Sequence, residues 1–289
     1  MSTETYKQNS SLGFSLKTGL FKTIRVLFLT TFSLLMVYPL YWLITSAFKT
    51  NEEFFTQPYA FPTSFTFENF QRAWEVANLG QAMINSTIVT VTATVLTIFL
   101  GALTAYVLSR FTFKLKGVLV VFFMLGMLIP VHSTLVPLFT LMNEVGLLDT
   151  YWALILPYTA FELPIAIFLT VAYMSTIPKE LEEAAVIDGS GYWGIFFKIM
   201  LPLSVPALST VAILAFLRYW NEFVFALVFI NDSSLKTLPL SLAIFSDGFS
   251  TDYALTMAAM TIAVLPTIVM YLMFQEQIMK GMVAGSVKG

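Results

Sequence analysis

Six stretches of the chain, residues 24–48, 85–108, 117–142, 152–174, 203–230 and 254–275, are apolar over a length that leaves little choice of environment. A helix needs about 20 mostly apolar residues to cross the hydrocarbon core of a bilayer. Each stretch is therefore expected to be a span, and the fold an all-α integral membrane protein with six transmembrane helices. Composition agrees, with 57% of residues hydrophobic and only 11% charged, against roughly 25% charged in a soluble domain. The expected organisation is a polar tail (1–23), a first span (24–48), a loop (49–84), a helical core (85–275) containing a second long loop (175–202), and a closing tail (276–289). The polar, mildly basic first 23 residues lack the apolar region and small-residue cleavage site of a signal peptide, so the stretch after them reads as a retained span.

Charge sets the orientation. With the first tail inside the cell, Lys7, Lys17, Lys22, Arg25, Arg110, Lys114, Lys116, Lys179, Lys198, Lys280 and Lys288 lie on the cytoplasmic side, and Lys49, Arg72 and Lys236 lie outside. Eleven against three, with Arg218 inside a span, accounts for all 15 basic residues. Short cytoplasmic loops carry such an excess, so both termini are expected to be cytoplasmic in a multi-pass membrane protein. The loop 49–84 is then external. Its Phe54, Phe55, Tyr59, Phe61, Phe65, Phe67, Phe70 and Trp74 suit the membrane interface or a protein partner.

Several chemistries are excluded. There is no cysteine, hence no thiolate metal site or disulfide, and a single histidine, His132, makes a histidine-ligated metal unlikely chemistry for the chain. A net charge of −2 argues against nucleic acid. Prolines 39, 130, 137, 157, 164, 206 and 266 fall within spans; each removes a helical hydrogen bond and bends its helix. The spans are apolar on all faces, so periodicity does not distinguish lipid from protein contact.

The loop 175–202 carries the most specific pattern. Ser175 or Thr176 is placed to cap a helix with Pro178 in its first turn. Glu180, Glu182 and Glu183 sit near the positive end of its dipole. Ala184 and Ala185 leave a shallow place for a partner, and Gly189 supplies a stop. A second short helix, about residues 192–200, ends at Pro202. A connector lying on lipid headgroups would be rich in Lys and Arg. This one carries four acids, Glu180, Glu182, Glu183 and Asp188, against Lys179 and Lys198, which favours a protein partner.

Glu183-Ala184-Ala185, two residues, Asp188-Gly189, nine residues, then Ile199, one residue, and Leu201-Pro202 resembles the EAA motif of ABC importer permeases. Asn85-Ser86-Thr87, Ala105-Tyr106 with Ser109-Arg110-Phe111, Gly146-Leu147-Leu148-Asp149-Thr150, Trp220-Asn221-Glu222-Phe223 and the closing Gly285-Ser286-Val287-Lys288-Gly289 are similar to the MalG-like subunits of the carbohydrate-uptake branch. The likeness runs from residue 24 onward; Ser190 stands where alanine is frequent in the motif. The resemblance implies a type I (MetI-like) importer half, taking up a sugar, oligosaccharide or related polyol or glycoside by alternating access. Its implied partners are a second, related permease, two cytoplasmic ATPase subunits and an extracytoplasmic solute-binding protein. It also implies ATPase coupling through Glu183, Ala184, Ala185, Asp188, Gly189, Ile199, Leu201 and Pro202, and a tail that reaches between the ATPase subunits. The chain lacks a Gly-rich loop followed by Gly-Lys-Ser/Thr, so ATP and Mg belong to the partners and this chain is a transport subunit rather than an enzyme.

Glu162, Arg218 and Glu222 lie within spans, where ionisable groups are costly and face an interior, a partner or a water-filled path. Arg218 and Glu222 are four apart and share a helix face if the helix continues; Glu162 lies at similar depth to Arg218, so a cross-helix pair is the other option. Glu162, Arg218, Trp220, Asn221 and Glu222 are the candidates for a solute path, with a structural role favoured for Glu222. His132 reads as a satisfied polar group. A proton-coupled transporter would need a chain of acids or histidines and a membrane-embedded enzyme a catalytic cluster; the spans supply neither.

Overall fold

A computed structural model describes residues 4–245 and 252–286, with side chains described for 21–245 and 252–275. The regular structure among these residues is entirely helical, without strands. In chain order the helices are α1 (Glu4–Ala47), α2 (Asn51–Thr56), α3 (Glu68–Val76), α4 (Leu79–Arg110), α5 (Lys116–Gly126), α6 (Leu135–Glu144), α7 (Trp152–Met174), α8 (Glu180–Ile187), α9 (Tyr192–Ile195), α10 (Leu201–Leu203), α11 (Val205–Trp220), α12 (Val224–Phe229), α13 (Leu238–Leu242) and α14 (Tyr253–Ser286). The polar first tail is helical from Glu4, as the start of α1. The closing Val287, Lys288 and Gly289, and the side chains from residue 276, lie outside the described residues, and with them the expectation for the tail.

Four spans are unbroken: Phe21–Ala47, Leu79–Arg110, Trp152–Met174 and Tyr253–Gln275. Two are bent. The expected single span 117–142 is two helices, Lys116–Gly126 and Val131–Glu144, meeting at 94°. Pro130 explains the break. It has no N–H to donate, its ring drives the preceding residue out of helical conformation, and its own backbone is extended (φ −68°, ψ 119°). His132 consequently lies in the 3-10 turn Val131–Thr134 at the break, exposed. The expected span 203–230 is also revised. Tyr192–Leu203 and Val205–Trp220 meet at 72°. Leu201 N–H bonds five residues back to Phe196, forming a π turn over Phe196–Met200, and Pro202 and Pro206 flank the bend at Ser204. The helix stops at Trp220, ten residues short of the expected end.

The chain forms two compact units. One comprises residues up to 70 together with 252–261. In it Lys49 is fully buried, its Nζ donating to the carbonyls of Gln57 (2.9 Å) and Pro58 (3.0 Å). Trp42 Nε1 donates to the same Pro58 carbonyl at 2.8 Å, and Asn69 Nδ2 donates to Ala47 and Lys49 at 2.9 and 2.8 Å. Glu53 accepts from the Thr63 amide and hydroxyl. The Phe48 ring packs on Phe65, Phe67 and Phe70, and Phe54 stacks on Tyr253. The aromatic loop is thus a folded module in its own right, although Tyr59, Phe61 and Phe67 remain largely exposed. Residues 21–41 of α1 are exposed along their whole length.

The second unit comprises 71–251 and 262–289. Its axis is α4 packed along α7, with α11 against both. Small residues allow the close approach: a Cβ on Gly101 would lie 3.1 Å from that of Ala166, and Ala93, Ala102 and Ala105 are fully buried. One end of α4 is fixed by Asn85. It is fully buried, donates to the carbonyls of Ser234 (2.8 Å) and Lys236 (2.9 Å), and accepts from Gln81 and from the Tyr151 hydroxyl. Ser86 Oγ accepts from Leu238 N–H at 2.7 Å. Asp149, at φ +57°, accepts from the Asn231 and Asp232 amides, which hold its carboxyl below the usual carboxylate range. Replacing Asn85 by Leu strands two carbonyls and the Tyr151 hydroxyl, so it should destabilise the unit by about 3 kcal/mol. Thermal unfolding in detergent should show a clear drop in Tm; an unchanged Tm would mean the 231–238 loop is held by something else.

Candidate coupling surface and intramembrane polar cluster

The loop after α7 is built differently at its start than the sequence implied. Ser175 and Thr176 do not cap α8, because their hydroxyls bond back to the carbonyls of Val171 (2.7 Å) and Tyr173 (2.8 Å) in the last turn of α7. The residue before α8 is Lys179, without a side-chain cap. The helix start is instead favoured by the acids Glu180, Glu182 and Glu183 in its first turn. Its end is well defined. Gly189 takes φ +83°, its N–H bonds to Val186 O at 3.0 Å, and Ser190 N–H bonds to Ala185 O at 2.8 Å. This is a Schellman closure, which asks for a residue without a Cβ at that position.

Ala185 is buried, packed among Ala102, Tyr106, Met174, Ile177, Phe196 and Met200. The shallow surface expected of Ala184 and Ala185 together is therefore carried by Ala184 alone, beside exposed Glu183, Ile187 and Asp188. Ile187 is 85% exposed, an unusual state for an isoleucine on a short, ordered helix. Ile199 and Leu201 are partly buried against the same cluster, and Pro202 is exposed just before the bend at Ser204.

Arg110, the last residue of α4, organises this region. The sequence offered it only as a cytoplasmic charge and as part of a Ser-Arg-Phe match. Its side chain is 6% exposed. Nη2 donates to Ile177 O at 2.8 Å and lies 3.8 Å from Met200 Sδ, and Nε lies 2.6 Å from Glu182 Oε1. That last contact is a close ion pair whose angle is not that of a directed hydrogen bond, as both atoms lack another partner. Burial pushes the Glu182 carboxyl up, against the pull of Arg110 and Lys179. Beside the pair lies an open cavity of 320 Å³ lined by Tyr106, Glu183, Val186 and Tyr192 among others.

The intramembrane candidates divide into two groups. Glu162 (side chain 4% exposed) and Arg218 (53% exposed) form an ion pair at 2.8 Å, the cross-helix option. The alternative pairing of Arg218 with Glu222 is absent because α11 ends at Trp220, which breaks the i, i+4 geometry. Glu222 instead accepts from the Tyr158 hydroxyl at 2.6 Å and from the amides of Phe225 (2.8 Å) and Ala226 (3.3 Å), so it satisfies the start of α12. Tyr158 stacks on Tyr219, whose hydroxyl donates to Tyr158 O and meets Thr97 Oγ1 at 2.8 Å. Trp220 is buried and stacks on Phe216. Asn221 is exposed, with Nδ2 bonded to Leu217 O. Of the five, Arg218 and Asn221 are exposed, Glu222 is half-buried, and Glu162 and Trp220 are buried. Tyr158, Tyr219 and Thr97 were unread in the sequence, since hydroxyls spaced through apolar runs carry no motif.

Residues 97–283 match the family described as Binding-protein-dependent transport system inner membrane component. The chain belongs to this family. It is 43% identical over 262 residues, 91% of this chain and 87% of the relative, to a Bacillus subtilis protein named "Probable ABC transporter permease protein YurM". It is 36% identical over 269 residues, 92% of this chain and 87% of the relative, to the Diacetylchitobiose uptake system permease protein NgcG of Streptomyces coelicolor. Among solved structures, a bacterial ABC transporter involved in the import of the acidic polysaccharide alginate superimposes with a TM-score of 0.80 at 22% identity, covering 90% of this chain and 97% of that one. The fold is thus that of a MetI-like, type I ABC importer permease, and the chain is a multi-pass transport subunit of a binding-protein-dependent system.

The Glu162–Arg218 pair is asymmetric, because the acid is buried and the base half open. Arg218→Gln leaves an uncompensated buried carboxylate and should cost more than Glu162→Gln, by about 2 kcal/mol. The double variant should recover most of the loss. Thermal stability of the three purified permeases measures this; equal losses, or no recovery in the double variant, would refute the pair as a buried structural link.

Proposed function

We propose that this chain is one of two related permease subunits in an ATP-driven importer of a sugar or oligosaccharide, in a prokaryotic inner membrane. Two cytoplasmic ATPase subunits carry ATP and Mg, and an extracytoplasmic binding protein delivers the solute. The diacetylchitobiose named for one relative supports the solute class. The basic-residue asymmetry supports cytoplasmic termini and an external 49–84 loop.

The observation that carries the reading is α8. Its exposed face of Glu183, Ala184, Ile187 and Asp188 is acidic and apolar together, on a helix held at its end by Gly189 and at its side by Arg110. Ala185 with Ile199 and Leu201 keeps that face in place from behind, and Pro202 leads the loop into α11. A short rigid helix of this kind suits insertion into a groove of an ATPase subunit, as helix-in-groove recognition requires exposed apolar anchors. Closure of the ATPase pair would then move α8 and the helices tied to it as a body, the usual route of alternating access. Within the bundle, Arg218 and Asn221 are the polar groups placed to meet a hydroxyl-rich solute or the second permease; Glu162 neutralises Arg218, while Trp220 and Glu222 serve as support.

Ala184→Trp adds bulk on the exposed face without disturbing the core. It should reduce ATPase retention in a pull-down by about tenfold or more, as for loss of an interface anchor. Gly189→Val puts a β-branched residue at φ +83°, which should displace α8. Both should abolish uptake at normal membrane level; retained ATPase and normal uptake in both would remove the coupling assignment. Orientation has its own test on this cysteine-free chain. A cysteine at Ser64 should react with a membrane-impermeant maleimide in intact cells, and reaction only after permeabilisation would invert the topology.

A further inference from the structure

The coupling helix has surprisingly few ties to the bundle. Ala185 is its one buried residue. Beyond that, α8 is joined through the Gly189 turn to α9, and laterally through Glu182 to Arg110. Arg110 in turn is the end of a helix of 32 residues that packs along α7 and α11. One planar guanidinium holds the carbonyl of Ile177 on the α7 side and the carboxylate of Glu182 in the first turn of α8, with Met200 of the π turn against it. The guanidinium donates from Nη2 to the carbonyl while its Nε edge pairs by charge with the carboxylate; a lysine ammonium, a single point charge, cannot hold both in the same geometry.

From this arrangement we infer that Arg110 is a positioning residue for transport: it ties α8 to α4, so that displacement of α8 by the ATPase is carried directly into the helix that bears Thr97. Thr97 meets the Tyr219 hydroxyl, which is bonded to Tyr158. The displacement therefore arrives at the tyrosines that flank the Glu162–Arg218 pair, without passing through the bend at Ser204. This inference rests on α8 being the docking helix, and the two can fail separately. Docking is read by ATPase retention, whereas Arg110 is read by how much solute moves per ATP hydrolysed.

The test uses the assembled transporter in proteoliposomes with its binding protein and saturating solute, comparing Arg110→Gln, Arg110→Lys and Glu182→Gln with the parent. All three should retain the ATPase subunits. Uptake per ATP should fall about tenfold in Arg110→Gln and about threefold in Glu182→Gln, the sizes expected for buried, coupled polar contacts. Arg110→Lys should restore part of the loss. A fold defect alone would not alter the following geometry in a selective way. Spin labels on cysteines at Lys179 and Leu115, both exposed, report the spacing of α8 from the end of α4. Their distance should be the same with and without ATP in the parent, and should change on ATP addition in Arg110→Gln. Normal uptake per ATP in an Arg110→Gln transporter that keeps its ATPase subunits would overturn the inference. If Arg110→Gln fails to assemble, Glu182→Gln decides: an unchanged ratio and an unchanged label distance would overturn it equally.

Discussion

Helix α4 lies in hydrocarbon along most of its length, where a polar group has no water to turn to and must find its partner inside the protein. It meets that demand at three levels. At one end Asn85 and Ser86 satisfy carbonyls and an amide of the 234–238 loop. Midway, Thr97 shares the Tyr219 hydroxyl. At the other end Arg110 serves Ile177 and Glu182. Between these levels the packing is by small residues against α7, which sets α4 and α7 close together. Much of the second unit's order follows from this one helix: the loop beyond α12, the tyrosine pair and α8 are each tied to it by a polar contact.

Length and hydropathy were enough to read the membrane class and where the apolar helices lie, because hydrocarbon thickness imposes a length that a soluble fold does not need. They were not enough to read their shape. The pattern of residues 117–142 is equally apolar on both sides of Pro130, so nothing in hydropathy signals a 94° turn there. The proline itself was the signal, and its strength depends on whether neighbouring helices leave room for the break. The same holds for residues 221–223, where α11 ends within an apolar run. Glu222 marks the place only because it takes up the amides of the next helix.

The candidate site was legible where backbone chemistry dictates sequence. Gly189 occupies a positive-φ position that a Schellman closure requires, and the acids at the start of α8 follow from the helix dipole. It was not legible where the role depends on which way a side chain turns. Ala184 and Ala185 are adjacent and identical, yet one is exposed and the other buried. Arg110 looked like one more cytoplasmic charge, since burial of a loop-end arginine depends on a loop some 70 residues away folding over it. Resemblance to a family placed the motif but not the contact that holds it.

The central claim is that α8 presents its outward face to an ATPase subunit as a preformed helix. Hydrogen exchange of the backbone amides of residues 183–188 measures this directly, in the purified permease pair and again in the complete transporter. The account predicts helical protection already present without the ATPase subunits, deepened by about tenfold or more when they bind, with the 231–238 loop unchanged. Exchange at 183–188 that is fast without the ATPase subunits, or that is unaffected by their binding, would contradict it.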